Sequence, residues 1–206
     1  MLVAAAQLSP VFLNRDATVE RAIAAIHEAS AHGARLIVFP EAFIPGYPIW
    51  VWSIPAGDTH ALRALYVELL RESVSVPDET TERLCRAARD ARMIVVIGVN
   101  ERNSEASNTS LFNSALFIDD SGRLLGTRRK LVPTSGERLV HAMAAATKFD
   151  TLAARNTVRH PPPDAAITLV SGTSSAAVPF AVYSRPAFAL ANFDPNVSAQ
   201  VAGNRL

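Results

Sequence analysis

Apolar and polar positions divide the first two-thirds of this chain into elements before any chemistry is considered. Leu2 to Leu8 is a short apolar run of strand length. Asn14 or Asp16 can cap a helix behind it. Val19, Ala22, Ile23, Ile26 and Ala29 then fall at i, i+3, i+4, i+7 and i+10, a single stripe along one helical face. Gly33 stands where a helix stop favours a left-handed residue. Leu36 to Phe39 reads as a buried strand from its β-rich composition, and it stops at Pro40. Ala61 to Leu70 is helical, with Leu62, Leu65 and Leu69 on one side. Thr80 or Thr81 begins another helix through Arg92, carrying Leu84, Ala87, Ala88 and Ala91. Met93 to Val99 and Leu111 to Ile118 are strands. Asp119 to Gly122 is a turn by composition, and Arg123 to Thr127 returns as its hairpin partner. The order β-α-β-α-α-β-β-β predicts an α/β fold, with some strands joined by helices and the last two by a hairpin.

After His141 the periodicity lapses. Residues 142–206 hold sixteen alanines, six prolines and no glutamate. Pro161-Pro162-Pro163 forbids regular structure locally. Only Ala165 to Val170 and Ala176 to Tyr183 have strand character. The expectation is an ordered portion over 1–141 and an irregular, loosely packed tail over 142–206.

Composition narrows the class. Apolar residues make up 49% of the 206 and charged residues 19%, which excludes an intrinsically disordered chain. A net charge of +1 argues against nucleic acid or a polybasic membrane surface as a partner. The single Cys85 excludes an internal disulfide and any multi-cysteine metal site, and it fits a reducing, cytoplasmic compartment. No apolar run is long enough to span a bilayer. The start, Met1-Leu2-Val3-Ala4, lacks the basic region of a signal peptide.

Two charged residues stand out by position. Glu41 follows directly on the strand ending at Phe39, where α/β sheets gather functional groups. It reads either as a solvated loop residue or as a general base. Phe39, Phe43, Ile44, Tyr47, Trp50 and Trp52 favour the second, because desolvation pushes a carboxyl group toward the range a base needs. Lys130, in Arg128-Arg129-Lys130, is either part of a solvated basic patch or a buried ammonium that stabilises a negatively charged tetrahedral state. Glu137 either pairs with Arg138 or a neighbour, or holds Lys130 charged and in place.

Several blocks in order resemble one family. They are Phe39-Pro40-Glu41-Ala42-Phe43-Ile44-Pro45-Gly46-Tyr47-Pro48; Ile97-Gly98-Val99-Asn100-Glu101-Arg102; Asn113-Ser114-Ala115-Leu116; and Arg129-Lys130-Leu131-Val132-Pro133-Thr134 with Gly136-Glu137-Arg138-Leu139. Together they resemble the nitrilase branch of the carbon–nitrogen hydrolase superfamily, over Met1 to about His141. The resemblance implies part of an α-β-β-α sandwich and hydrolysis of a small nitrile or amide through a Glu–Lys–Cys constellation. It makes Glu41 the general base, Lys130 the stabiliser of the tetrahedral state and Glu137 the second glutamate beside the lysine. It implies no metal and no organic cofactor. Glu41 and Lys130 are then expected in one cleft, within roughly 3–6 Å of each other.

The nucleophile is where the pattern departs. The family's cysteine follows the lysine in a Cys-Trp-Glu elbow, here due between Arg155 and Thr168. Residues 157–168 contain no Cys, Trp or Glu. Cys85 precedes Lys130 on a predicted helix and reads as a structural thiol. Ser171 and Ser174 lack the surroundings of a serine elbow. The tail resembles sequence that has left the family's reading by truncation, frameshift or altered splicing. Three functions follow: a nitrile hydrolase by ancestry, inactive as this chain; a non-catalytic nitrilase-like fragment that self-associates or joins full-length relatives; and a small-molecule binder walled by Trp50 and Trp52.

Overall fold

The computed structural model describes residues 1–145 and the backbone of 167–171. Its frame is one six-stranded sheet in the order β5-β4-β3-β2-β1-β6. The strands are β1 (Val3–Gln7), β2 (Leu36–Val38), β3 (Ile94–Arg102), β4 (Leu111–Ile118), β5 (Leu124–Arg129) and β6 (Ile167–Ser171). The four strands β3, β2, β1 and β6 run parallel, while β4 pairs antiparallel with both β3 and β5. The helices are α1 (Arg15–Ala31), α2 (Thr59–Glu72) and α3 (Glu79–Ala91). The described chain is thus α/β, with helical crossovers and one hairpin, as its periodicity implies.

Alternation along the strands sorts their side chains between two faces. One face presents Ala4, Ala6, Ile37, Val95, Ile97, Val99, Leu116 and Ile118 to the helices. Against it lie the α1 stripe of Val19, Ala22, Ala25, Ile26 and Ala29 and the α3 residues Leu84, Ala87 and Ala88, which close the main core. A second cluster gathers Leu69 of α2, Trp50, Leu111 and Val140. The other sheet face carries Val96, Gly98, Asn113 and Ala115, and these line a cleft.

Several expected boundaries move. Asn14 caps α1, its side chain accepting from the Ala17 N–H at 2.9 Å, and Gly33 takes a left-handed φ of 85° just past its end. α2 starts two residues before Ala61, because Asp58 accepts from the Ala61 N–H. α3 is capped by Asp78 and not by either threonine. Thr81 is the third helical residue and closes a capping box with Asp78. β3 extends beyond Val99 to Arg102, because β4 pairs with it from Val95 through Arg102. In the tail, β6 pairs with β1 from Val3↔Ile167 to Gln7↔Ser171, where the sequence shows strand character. That strand qualifies the expected irregularity of 142–206. The expected strand over Ala176 to Tyr183, the proline run and Ser174 lie outside the described residues. Among the described residues no helix is long and apolar enough to cross a membrane.

Candidate active site

β2 ends and the chain turns across the top of β3, carrying Glu41. Glycine at position 98 is what lets it lie there. A Cβ on Gly98 would stand 2.3 Å from the Pro40 carbonyl oxygen and 2.5 Å from the Ala42 nitrogen. The loop then runs beside β3: the Ile44 N–H donates to the Gly98 carbonyl at 3.1 Å, and the Asn100 N–H donates to the Ile44 carbonyl at 2.8 Å. Ala42, fully buried, adopts a left-handed φ of 49°, so the residue after Glu41 is held in a conformation that alanine disfavours.

Lys130 arrives from the opposite direction, one residue past β5. Its N–H donates to the Asn113 carbonyl at 2.7 Å, which continues the β4–β5 ladder. The period of two separates the basic run. Arg129 turns to one face, where it forks onto the buried Glu101 at 2.6 Å and covers the Phe112 ring at 4.3 Å. Lys130 turns to the cleft, so the solvated-patch reading of this run fails for both residues.

Glu41, Lys130 and Glu137 come together. The Lys130 ammonium donates to Glu41 Oε1 at 2.9 Å and to Glu137 Oε2 at 2.8 Å. Asn113 donates its amide to the same Glu41 oxygen at 2.7 Å. Glu137 lies in a 3₁₀ turn, Ser135–Leu139, whose first N–H groups it helps to cap. It accepts from the Thr134 N–H at 2.7 Å and from the Tyr47 hydroxyl at 2.7 Å. Trp52, from a 3₁₀ turn over Ile49–Trp52, packs its ring on Gly136. Glu137 therefore does not pair with Arg138, whose guanidinium turns to the Pro133 carbonyl.

Exposure differs sharply across the three. The Glu137 side chain is 4% exposed, Lys130 30% and Glu41 50%. The aromatic residues around Glu41 thus leave it half in solvent and do not desolvate it as the sequence suggests. Burial alone would lower the Lys130 ammonium, but hydrogen bonds to Glu137 and Glu41 outweigh it and hold the group above the ordinary lysine value. Burial likewise works against the Glu137 carboxylate. Donation from Lys130, the Thr134 backbone and Tyr47 wins and holds it below the usual range. Tyr47 is raised, first by burial and then by its bond to Glu137.

Cys85 lies elsewhere. It sits on α3 at the helical face, next to the β4–β5 turn, with Asp119, Glu82, Arg86 and the Leu124 backbone around it. It is half-buried, and desolvation followed by the Asp119 charge raises its thiol, the opposite of what an attacking thiolate needs. Ser171 lies in β6, of which the backbone alone is described.

Glu41 and Lys130 line an open cleft of about 470 Å³, together with Phe39, Val96, Gly98, Asn113, Ala115, Arg128 and Leu131. The arrangement offers one half-exposed carboxylate, one ammonium fixed as a cation, and a second, buried carboxylate that fixes it. It can take a proton and steady developing negative charge; it holds no thiol among the described residues.

The carbon-nitrogen hydrolase family profile matches residues 2–166, beyond the last recognisable motif block. Over 138 residues the chain is 38% identical to an arylacetonitrilase of Aspergillus niger, covering 67% of this chain and 38% of that protein. Over 148 residues it is 37% identical to an aliphatic nitrilase of Rhodococcus rhodochrous, covering 71% of this chain and 37% of that protein. An amidase from Nesterenkonia sp. aligns in structure with a TM-score of 0.49 at 19% identity, covering 70% of this chain and 48% of that one. The matched region therefore spans under two-fifths of the length of these two nitrilases.

Proposed function

The chain belongs to the carbon–nitrogen hydrolase family, and from that premise we propose that it presents the charged half of a nitrile- or amide-hydrolysing site without turning substrate over alone. The observation that carries this reading is the Lys130 ammonium held between Glu41 and Glu137. In this reading Glu41, half exposed to the cleft, is the proton acceptor. Lys130 stabilises the charge that develops on the substrate nitrogen or oxygen when its carbon becomes tetrahedral. Glu137 keeps Lys130 ionised and aimed. The names of the nitrilase relatives support nitriles as the substrate class.

A nitrile carbon is a weak electrophile, and this chemistry needs a covalent bond to a thiolate before water completes it. Removing the nucleophile from such a unit costs on the order of 10⁶ in turnover, because its members act together. Cys85 on α3 does not supply one. The expected result is no ammonia release by this chain from aliphatic or aromatic nitriles, measured beside Cys85→Ala and Glu41→Gln. Robust turnover lost in Glu41→Gln and kept in Cys85→Ala would refute the inactivity and point to a nucleophile outside the described residues. The same missing thiol favours a second reading, a non-catalytic member that pairs with full-length relatives. Co-elution with a full-length nitrilase tests it.

A further inference from the structure

Two segments must meet for the site to form. One is the loop over residues 41–47, which carries Glu41 and Tyr47. The other is the stretch over residues 130–141, which carries Lys130 and Glu137. Their direct contacts are the charged ones already described. A second link lies behind them, away from solvent.

Asn100, on β3, is fully buried. Its side-chain nitrogen faces three carbonyls of the first segment: Gly46 at 3.0 Å, Ile44 at 3.1 Å and Ala42 at 3.4 Å. Three acceptors around one atom assign that atom as the amide nitrogen, so the oxygen points the other way. There it meets His141 Nε2 at 2.8 Å. An amide oxygen only accepts, so Nε2 of His141 carries a proton and donates it to Asn100. His141 is 3% exposed, and its Nδ1 has no hydrogen-bond partner among the described residues. The second segment is tied to this ring through its own backbone. The His141 N–H donates to the Glu137 carbonyl at 2.7 Å, and the next residue, Ala142, donates to Leu111 on β4.

We infer that Asn100 and His141 are positioning residues, a buried latch that holds the Glu41 loop and the Glu137 turn at the separation Lys130 bridges. The latch works by direction. Asn100 collects the loop's carbonyls on its donor side and accepts the histidine on the other, so one side chain fixes both segments against β3. Neither residue touches the cleft, and both act through Glu41 and Glu137. The inference rests on reading Glu41, Lys130 and Glu137 as one site. It does not rest on turnover.

The test uses the full chain with Lys148→Arg, which leaves Lys130 as its one lysine. Nitrogen-15 spectra then report the Lys130 ammonium directly, and a titration reports its midpoint. His141→Gln puts an amide nitrogen where Nε2 stands and keeps the donor to Asn100. His141→Asn puts it where Nδ1 stands, out of reach. The expected result is a Lys130 signal and midpoint unchanged in His141→Gln. In His141→Asn the slowly exchanging signal is lost and the midpoint moves down toward an ordinary lysine. Equal behaviour of the two variants, whether both keep the signal or both lose it, overturns the latch. Global unfolding of His141→Asn also overturns it, because a latch joins two segments and does not hold up the sheet. Whether the chain hydrolyses any nitrile has no bearing on these outcomes.

Discussion

Lys130 is more strongly bound to Glu137 than its position on the surface suggests, and its removal should be felt in stability as well as in the site. Lys130→Met leaves Glu137 buried with Tyr47 and the Thr134 N–H as its remaining donors. With Lys130 part-exposed, the expected loss is about 1–2 kcal/mol at neutral pH, read from urea unfolding. Glu137 is held below its ordinary value, so its contribution is present above that value and fades as pH falls through the lowered one. The gap between parent and Lys130→Met should narrow in the same direction. His141 sets a second acid window. Burial lowers it from 6.5 to about 4, against the opposing pull of the Glu137 and Glu41 charges, with Lys130 reinforcing the drop. The unfolded chain therefore binds the extra proton first. Stability is full above about pH 6.5 and falls by on the order of 3 kcal/mol on the way down to about pH 4. His141→Gln should flatten unfolding free energy across that window; an unchanged slope would assign the acid sensitivity to other groups. Glu41, Lys130 and Glu137 were legible in the sequence because they sit in motif blocks. Asn100 and Asn113 sit in such blocks too, but nothing beside them, or beside His141, marks a partner. Asn113 reaches Glu41 across 72 positions and His141 reaches Asn100 across 41, and no local spacing encodes such pairings.

At the level of elements, the site depends on how closely one loop can approach one strand. Gly98→Ala tests this. Its new methyl would press on backbone atoms of Pro40, Glu41 and Ala42, which cannot turn aside as a side chain can. The expected cost is about 1–3 kcal/mol by chemical denaturation, together with loss of the Lys130 ammonium signal as the Glu41 loop lifts. A variant with parent stability would show that the loop does not need its present height. Helix existence was readable from stripes and caps, since α1 and α3 bury the faces their periodicity marks. Helix starts were less so. Around α3, Asp78, Thr80 and Thr81 all have capping chemistry. Asp78 wins because its carboxylate serves both the Ser75 and Thr81 N–H groups while Thr81 bonds back to it. The two 3₁₀ turns escaped any periodicity argument, being four and five residues long. They place Trp52, Tyr47 and Glu137 in register.

Among the described residues, the sheet has one face covered by α1 and α3 and the other lining the cleft. Strand order along the chain made the α/β class and the terminal hairpin readable. It did not reveal that β6 returns beside β1, since five residues of β-rich sequence after a proline run carry no information about their neighbour. Some large apolar side chains stay exposed. Ile49 is 58% exposed, Trp52 51%, Val132 55% and Leu139 64%; Val132 and Leu139 lie on the stretch that carries Lys130 and Glu137, and the turn of Ile49 and Trp52 packs against the turn that ends at Leu139. Trp52 lies against Gly136, three residues before Leu139, so at least these two share one rim. Large side chains exposed together in water favour association over a dilute monomer. Light scattering across a concentration series should therefore report mass rising with concentration. Trp52→Arg combined with Leu139→Ser should shift that rise to higher concentration. Neither residue contributes to the sheet's main core, so the double variant is expected to keep its fold. Association unaffected by the pair would locate the contact elsewhere on the chain. A constant monomer mass at every concentration would remove the rim as a contact surface altogether.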